Sequence, residues 1–271
     1  MRRSMQILAA AAVSAVVSLS MLTPASAEPA WDDIRTNVFG GRAIHPAGDV
    51  VKLSAPHRPE DQSHVPIGVE AGFKDGRTVR SLTLIVDQNP TPVAAVFDIA
   101  GKREHLKIAT KLRLNAATDV RAIVEASDGE LYMADQFVKF AGGQASCSAP
   151  PQGDPEEIAA NMGKMTFEQE RTKAALTEIA PHAKLTISHP NHTGMVLDQF
   201  TLLYVPLRIV TDLEVKQGDE PVFTMHGSMT MSQNPEIDFD YRLNGADKMN
   251  VSAKDSDGAS WAQSFPIGQG S

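Results

Sequence analysis

A single cysteine, Cys147, is the first residue here that could carry chemistry. It stands in residues 141–153, AGGQASCSAPPQG, a run of small and turn-forming residues without a hydrophobic period. Six residues on each side separate it from the regular segments. A flexible tether of that length reaches about 13 Å on average and about 20 Å at most. No neighbour larger than Ala or Pro is apolar, so the sequence predicts an exposed thiol rather than a buried one. No Lys, Arg or His lies within five positions, while Asp154, Glu156 and Glu157 follow, so nothing local favours the thiolate. A nucleophilic enzyme needs a base beside its thiol. A thiol that carries a group does not, because a partner can supply the activation. The pattern favours a carrier over an enzyme; the plainer alternative is a bystander cysteine.

Two other constellations merit chemistry. His189 and His192 lie three apart in Ser188-His189-Pro190-Asn191-His192, with His182 nearby. A tetrahedral metal site needs four ligands, and no Cys, Asp or Glu stands beside these histidines at a recognisable spacing. The alternative is a strand-end turn set by Pro190 and Gly194. Met225-His226-Gly227-Ser228-Met229-Thr230-Met231 combines thioethers with an imidazole, which suits Cu(I). Yet Met225, Met229 and Met231 share parity, and on a strand that parity faces a core. The sequence contains no GxSxG, no phosphate-binding lysine loop and no dinucleotide fingerprint. It assigns no catalytic residue, no metal and no cofactor.

Residues 1–27 read as an address. Arg2 and Arg3 precede the apolar run Ile7–Leu22, broken by Ser14, Ser18 and Ser20, and Ala25-Ser26-Ala27 supplies a small-x-small cleavage site. The run is short for a membrane span, which takes about 20 residues. The residues after Arg2-Arg3 fit a twin-arginine signal poorly. Export predicts a periplasmic location, where structural cysteines come in pairs and an unused exposed thiol is a liability. The chain holds 33 Asp+Glu against 25 Lys+Arg, a net charge of −8. That balance argues against nucleic acid or an anionic membrane as partner. An apolar share of 42% is too high for a disordered chain.

The elements that must position Cys147 read mostly as strands. Val65, Ile67, Val69, Ala71 and Phe73 alternate with small or polar residues, as do Val93, Ala95, Phe97 and Ile99. Leu106, Ile108, Thr110, Leu112 and Leu114 repeat the pattern, followed by Val120, Ala122, Val124 and Ala126. Strict alternation implies one buried and one wet face. Asp75-Gly76 and Asp128-Gly129 are expected hairpin turns. Residues 31–38 suggest a short helix. A second is announced by Asp154-Pro155-Glu156-Glu157, with Asp as N-cap and Pro first in the helix; Thr166–Ile179 is loosely helix-permissive. Strands resume near Leu185: Leu207, Ile209, Leu213 and Val215, then Ile237, Phe239, Tyr241 and Leu243, then Met249, Val251 and Ala253. Gln88-Asn89-Pro90 is echoed by Gln233-Asn234-Pro235, and Ser127-Asp128-Gly129 by Ser256-Asp257-Gly258. Short strands at this spacing predict an all-β chain of two immunoglobulin-like β-sandwiches joined by a flexible, partly helical linker. The expected boundaries are a leader at 1–27, a sandwich at 28–140, a cysteine arm and linker at 141–181 and a second sandwich at 182–271.

At this point the residues resemble a known family. Val65-Pro66, the stretch Val86-Asp87-Gln88-Asn89-Pro90-Thr91-Pro92-Val93, Val120-Arg121-Ala122 and Ser127-Asp128-Gly129-Glu130-Leu131-Tyr132 are similar to SoxY. So are Val138-Lys139 and Gly142-Gly143 ahead of Cys147. Ile187-Ser188-His189-Pro190, Thr193-Gly194, Ser232-Gln233-Asn234-Pro235 and Asp255-Ser256-Asp257-Gly258 are similar to SoxZ. Their order resembles a SoxY–SoxZ fusion of the kind associated with quinoprotein dehydrogenases. The resemblance implies a non-enzymatic periplasmic carrier. Cys147 would hold a sulfur or other thiol-linked intermediate covalently, on an arm that includes Gly142 and Gly143. Its implied partners are periplasmic oxidoreductases or sulfur-transfer enzymes, including a quinoprotein dehydrogenase. His189 takes a structural part in that reading. The family arm ends its chain with Gly-Gly-Cys-Gly-Gly, whereas here Gln144, Ala145 and Ser146 intervene and Ser148 follows. Two other readings stand beside the carrier: a non-covalent adaptor or chaperone of such a dehydrogenase, and a copper-binding protein using Met225–Met231.

Overall fold

Period-two hydrophobicity becomes period-two burial. In the computed structural model, which describes residues 30–140, 142–170 and 181–268, Val65, Ile67, Val69 and Ala71 turn inward along one strand. Leu106, Ile108, Thr110 and Leu112 do so along another. The expected leader, residues 1–27, lies outside the described residues. The chain starts with α1 (Ala30–Phe39), β1 (Ile44–Pro46), β2 (Val51–Ser54), β3 (Val65–Gly72), β4 (Val79–Val86) and β5 (Val93–Ile99). Next come β6 (His105–Leu112), β7 (Thr118–Ala126) and β8 (Leu131–Val138). A 3-10 turn, Ser146–Ser148, and α2 (Pro155–Asn161) lead to β9 (Met165–Glu170) and β10 (His182–Ile187). The chain closes with β11 (Val210–Gln217), β12 (Glu220–Gly227), β13 (Glu236–Asp240), β14 (Lys248–Asp255) and β15 (Ser260–Pro266).

The architecture is all-β, two facing sheets with a short helical connection. A nine-stranded sheet runs β1-β8-β7-β4-β5-β12-β11-β14-β15 and a six-stranded sheet runs β2-β3-β6-β13-β10-β9. Each sheet contains strands from both halves. β5 pairs antiparallel with β12, setting Phe97 opposite Met225. β6 pairs antiparallel with β13, setting Ile108 opposite Phe239. Edge strands that meet in this way remove unpaired backbone groups from solvent. They also merge the interiors: Phe97, Phe223 and Phe239 form an edge-to-face chain across the join, with centroids 5.8 and 5.1 Å apart. Most buried apolar residues of both halves form one continuous cluster between the sheets.

Several expectations change in the folded chain. Asp75-Gly76 does not close a hairpin. It carries the chain from β3 in the smaller sheet to β4 in the larger, while Asp128-Gly129 does join the paired strands β7 and β8. The outer face of β4 and β7 is dry rather than wet, because Ile34 and Phe39 of α1 cover Ile85, Ile123 and Leu131. Residues 166–170 are strand, not helix: β9 pairs with β10 and sets Phe167 opposite Leu185, so sheet pairing overrides local helix permissiveness. The remainder of that expected helix, residues 171–179, lies outside the described residues. Leu207 and Leu243 continue a buried parity in sequence but lie beyond strand ends and are exposed. Helix α2 follows its start signal: Asp154 Oδ1 accepts from the amides of Glu156 and Glu157, and Pro155 is the first helical residue.

Candidate functional site

Cys147 lies in the seam between the two halves. Its 3-10 turn rests on the residues that follow β6. Ser146 Oγ donates to the Leu114 carbonyl at 2.8 Å, and the Cys147 amide donates to Asn115 Oδ1 at 3.1 Å. The second half closes from the other side. Thr193 Oγ1 donates to the Cys147 carbonyl, and Met195, Ile209 and Met229 pack around the thiol. The expectation of an exposed thiol is therefore corrected: Cys147 is 0% exposed. The apolar cover comes from residues distant in sequence, not from the Ala, Ser and Pro beside it. Gly142 and Gly143, the two expected arm glycines, are exposed with φ of +95° and +97°. That left-handed backbone suits glycine and strains other residues. Beyond the turn, Gln152 is clasped by Gln233: its amide donates to Gln233 Oε1 at 2.7 Å, and Gln233 Nε2 donates back to its carbonyl at 2.8 Å. No strand pairing holds residues 142–153.

The first of the repeated Asn-Pro dipeptides braces this seam. Asn89 is buried; its Nδ2 donates to the Arg113 carbonyl at 2.7 Å and to Thr230 Oγ1 at 3.2 Å, and its Oδ1 accepts from the Asn115 amide at 2.9 Å. Asn234 is exposed and works within the second half, where its Oδ1 accepts from the His189 amide at 3.0 Å.

One cation reaches the site through space. Arg113 is 3% exposed, its amide donates to the Thr230 carbonyl at 2.8 Å, and its Nη2 donates to the Pro190 carbonyl at 3.3 Å. Burial pushes the Cys147 thiol above its ordinary range, and the Arg113 charge and a Ser146 contact pull against that shift. Burial also draws the Arg113 guanidinium below its usual range, opposed by Cys147. Sequence reading missed Arg113, Asn115, Thr193, Met195 and Ile209. Nothing in their spacing points to Cys147; only strand pairing brings them there.

The histidines do not converge with these groups as ligands. His189 is buried, accepts from the Asn191 amide at Nδ1 (3.0 Å), and sets Nε2 3.6 Å from Asp255 Oδ2. Burial lowers its pKa against the pull of Asp255. His182 pairs instead with Asp240 at 2.7 Å. Among the described residues no three His, Cys, Asp or Glu side chains are placed to hold a metal ion. Met225 and Met231 are core residues, whereas His226 is exposed on the opposite parity of β12 and pairs with Asp212 at 2.9 Å. The thioethers and the imidazole thus face apart.

Residues 196–208 form a loop whose two roots, Met195 and Ile209, both touch the cysteine cluster. At its tip Phe200 is 97% exposed, and Leu202, Leu203 and Tyr204 are each about two-thirds exposed.

Comparison with known proteins places both halves. The family model for the sulfur oxidation protein SoxY matches residues 35–144, and the model for the sulphur oxidation protein SoxZ matches residues 170–266. No curated protein matches the chain. Among solved structures, the sulfur carrier protein SoxY from Chlorobium limicola f thiosulfatophilum is similar at 23% identity. That match covers 41% of this chain and 90% of that one, with a TM-score of 0.35. A superoxide reductase (neelaredoxin) from Ignicoccus hospitalis is similar at 18% identity, over 33% of this chain and 79% of that one, with a TM-score of 0.27. The two family models lie in tandem and together span most of the sequence, and the chain belongs to the SoxY and SoxZ families as a SoxY–SoxZ fusion.

Proposed function

We propose that this chain is a periplasmic carrier that holds a sulfur intermediate covalently on Cys147 and presents it to partner enzymes without catalysing a reaction itself. Family membership supports a sulfur-oxidation carrier role. The observation that carries the finer reading is the docking of Cys147. The only cysteine of the chain sits in a segment outside both sheets, held by a few hydrogen bonds to each half. Such a segment opens at far lower free energy than a strand does. Docked, it shields the thiol; released, the exposed Gly142-Gly143 hinge lets the thiol reach an oxidoreductase or sulfur-transfer enzyme. The leader reading of residues 1–27 supports the periplasmic location. Intact-mass analysis of protein purified from its host under sulfur-oxidising growth tests the proposal. A sulfur adduct that disappears in Cys147→Ser, together with loss of function in that variant, supports it. An unmodified thiol and a fully functional Cys147→Ser chain would falsify it.

A second reading rests on the exposed apolar tip at Phe200–Tyr204. In it the chain is a non-covalent adaptor of a periplasmic enzyme such as a quinoprotein dehydrogenase, and the buried thiol is a packing residue. It predicts that Cys147→Ser is silent while Phe200→Ser and Leu203→Ser abolish capture of the enzyme.

A further inference from the structure

Arg113 is a buried cation without a carboxylate. It is 3% exposed, and no ion pair joins it to an Asp or Glu among the described residues. Its Nη2 reaches only the Pro190 carbonyl, at 3.3 Å, and its buried Nε has no hydrogen-bond partner. Burying a guanidinium in this way is costly unless an anion offsets it. Among the described residues a second arginine, Arg121, is buried and shows the ordinary solution: it grips Asp87 with contacts of 2.7–3.0 Å. Among the described residues, Arg113 interacts electrostatically with the Cys147 thiol and with His192. His192 is no anion, and its own buried Nδ1 is also unpartnered. Arg113 also lines a small pocket with Ser146, Ala149 and Gln152, so the guanidinium borders a space walled by the cysteine arm itself.

Resting on the carrier reading above, we propose that Arg113 is an anion receptor for the docked arm. It accepts the charged oxygens at the far end of a group linked to the Cys147 sulfur. The docked position then favours an oxyanion-terminated sulfur cargo, such as a thiosulfonate, over a neutral one. A planar guanidinium suits this task, because its parallel N–H donors match two oxygens of one sulfonate.

Two reagents separate the end groups. With tetrathionate, the Cys147 thiolate attacks a central sulfur, one S–S bond breaks, thiosulfate leaves and Cys–S–S–SO3⁻ forms. With methyl methanethiosulfonate, the thiolate attacks the methyl-bearing sulfur, methanesulfinate leaves and Cys–S–S–CH3 forms. Each adduct of the full chain is then exposed to dithiothreitol, and its stripping rate is divided by the rate for the same adduct in urea. The folded chain is expected to protect the sulfonate adduct at least about tenfold more than the methyl adduct, as a charge-assisted contact should. Arg113→Gln should remove that excess while leaving protection of the methyl adduct unchanged, which also reports that the variant folds. Arg113→Lys, which keeps the charge but not the fork, should retain part of it. Equal protection of the two adducts in the native chain overturns the proposal even if no variant folds, and so does an excess that survives in Arg113→Gln. Either result leaves the host-adduct test of the carrier reading standing, while an absent host adduct sinks that reading and not the protection ratio.

Discussion

The hydroxyl of Thr193 donates to the carbonyl of Cys147 at 2.5 Å, so a side chain of the second half latches the arm that leaves the first. The same Oγ1 accepts from the Met195 amide at 3.2 Å, which ties the latch to one root of the apolar loop. Thr193→Val keeps the shape and removes both contacts. In the docked state the Cys147 carbonyl then lacks its donor, whereas in the released state water supplies one. A hydrogen bond of this kind contributes about 1 kcal/mol, or roughly a fivefold shift in the docked–released ratio. Thiol labelling by an aromatic disulfide under native conditions should accelerate by that factor, and Thr193→Ser should restore the slow rate. Unchanged labelling in Thr193→Val would show that the latch is not what holds the arm.

The pH dependence of the arm follows from the direction of the thiol shift. Burial raises the Cys147 pKa, with Arg113 and Ser146 only partly opposing it. A released or unfolded thiol titrates near its ordinary value, about 8.5. Below that value both states hold the proton and docking is unaffected. As pH rises through it, the released arm loses its proton first, so docking weakens. Alkylation of the native chain should therefore rise at higher pH than alkylation of the urea-unfolded chain. Arg113→Gln should push the native profile higher still. A native profile that overlays the unfolded one would mean that the docked thiol is not desolvated.

Much of the fold was legible because burial in a two-layer sandwich repeats every second residue. Val65–Phe73 and Leu106–Leu114 carry that period in full view. β1 and β2, of three and four residues, are too short to display one. β9 reads MTFEQE, where Glu and Gln favour helix, and only its pairing with β10 makes it a strand. The site was half legible. Cys147 is conspicuous as the sole cysteine, but its exposure was misjudged from Ala, Ser and Pro neighbours. Met195, Ile209 and Met229, which bury it, and Arg113, which lines a small pocket with the neighbouring Ser146, are set in place by the β5–β12 and β6–β13 joins. Long-range pairing of that kind leaves no local signal.

The ion pair of Arg121 with Asp87 is a stability element distinct from the site. Both side chains are at most 10% exposed, and the Trp31 ring lies 4.3 Å from the Arg121 guanidinium carbon. Removing Asp87 leaves the buried Arg121 guanidinium only the longer, 3.5 Å contact with the partly exposed carboxylate of Asp119, a loss of about 3 kcal/mol. Asp87→Ala should lower the urea midpoint accordingly. The double variant Asp87→Ala with Arg121→Met should recover part of that loss, because no orphaned charge remains. A single variant within about 0.5 kcal/mol of the native chain would contradict the burial described here.

The apolar loop makes the opposite prediction. Phe200, Leu202 and Leu203 bury little, so Phe200→Ser and Leu203→Ser should change stability by no more than about 0.5 kcal/mol. Their effect should fall on association. Exposed apolar clusters of this type mark interaction surfaces, and this one is rooted at the thiol. Surface plasmon resonance against enzymes captured with the native chain should show faster dissociation for the double variant. Native-like binding by that variant would remove the loop from the interface.

The two tryptophans offer a direct test of how tightly the halves are joined. Trp31 belongs to α1 over the first half, and Trp261 to β15 at the far end of the nine-stranded sheet. If the sandwiches were independent, each tryptophan would report its own transition. The shared sheets and the Phe97–Phe223–Phe239 chain make one cooperative interior instead. In Trp31→Phe and Trp261→Phe, each left with one reporter, fluorescence should trace urea transitions of equal midpoint and slope. Phe239→Ala should lower both midpoints together, at a cost of about 3–5 kcal/mol, because the cavity opens in an interior common to both halves. Two separated transitions, or a Phe239→Ala shift confined to the Trp261 reporter, would mean that the halves meet without folding as one body. The seam that holds Cys147 would then have to form by docking of two finished sandwiches.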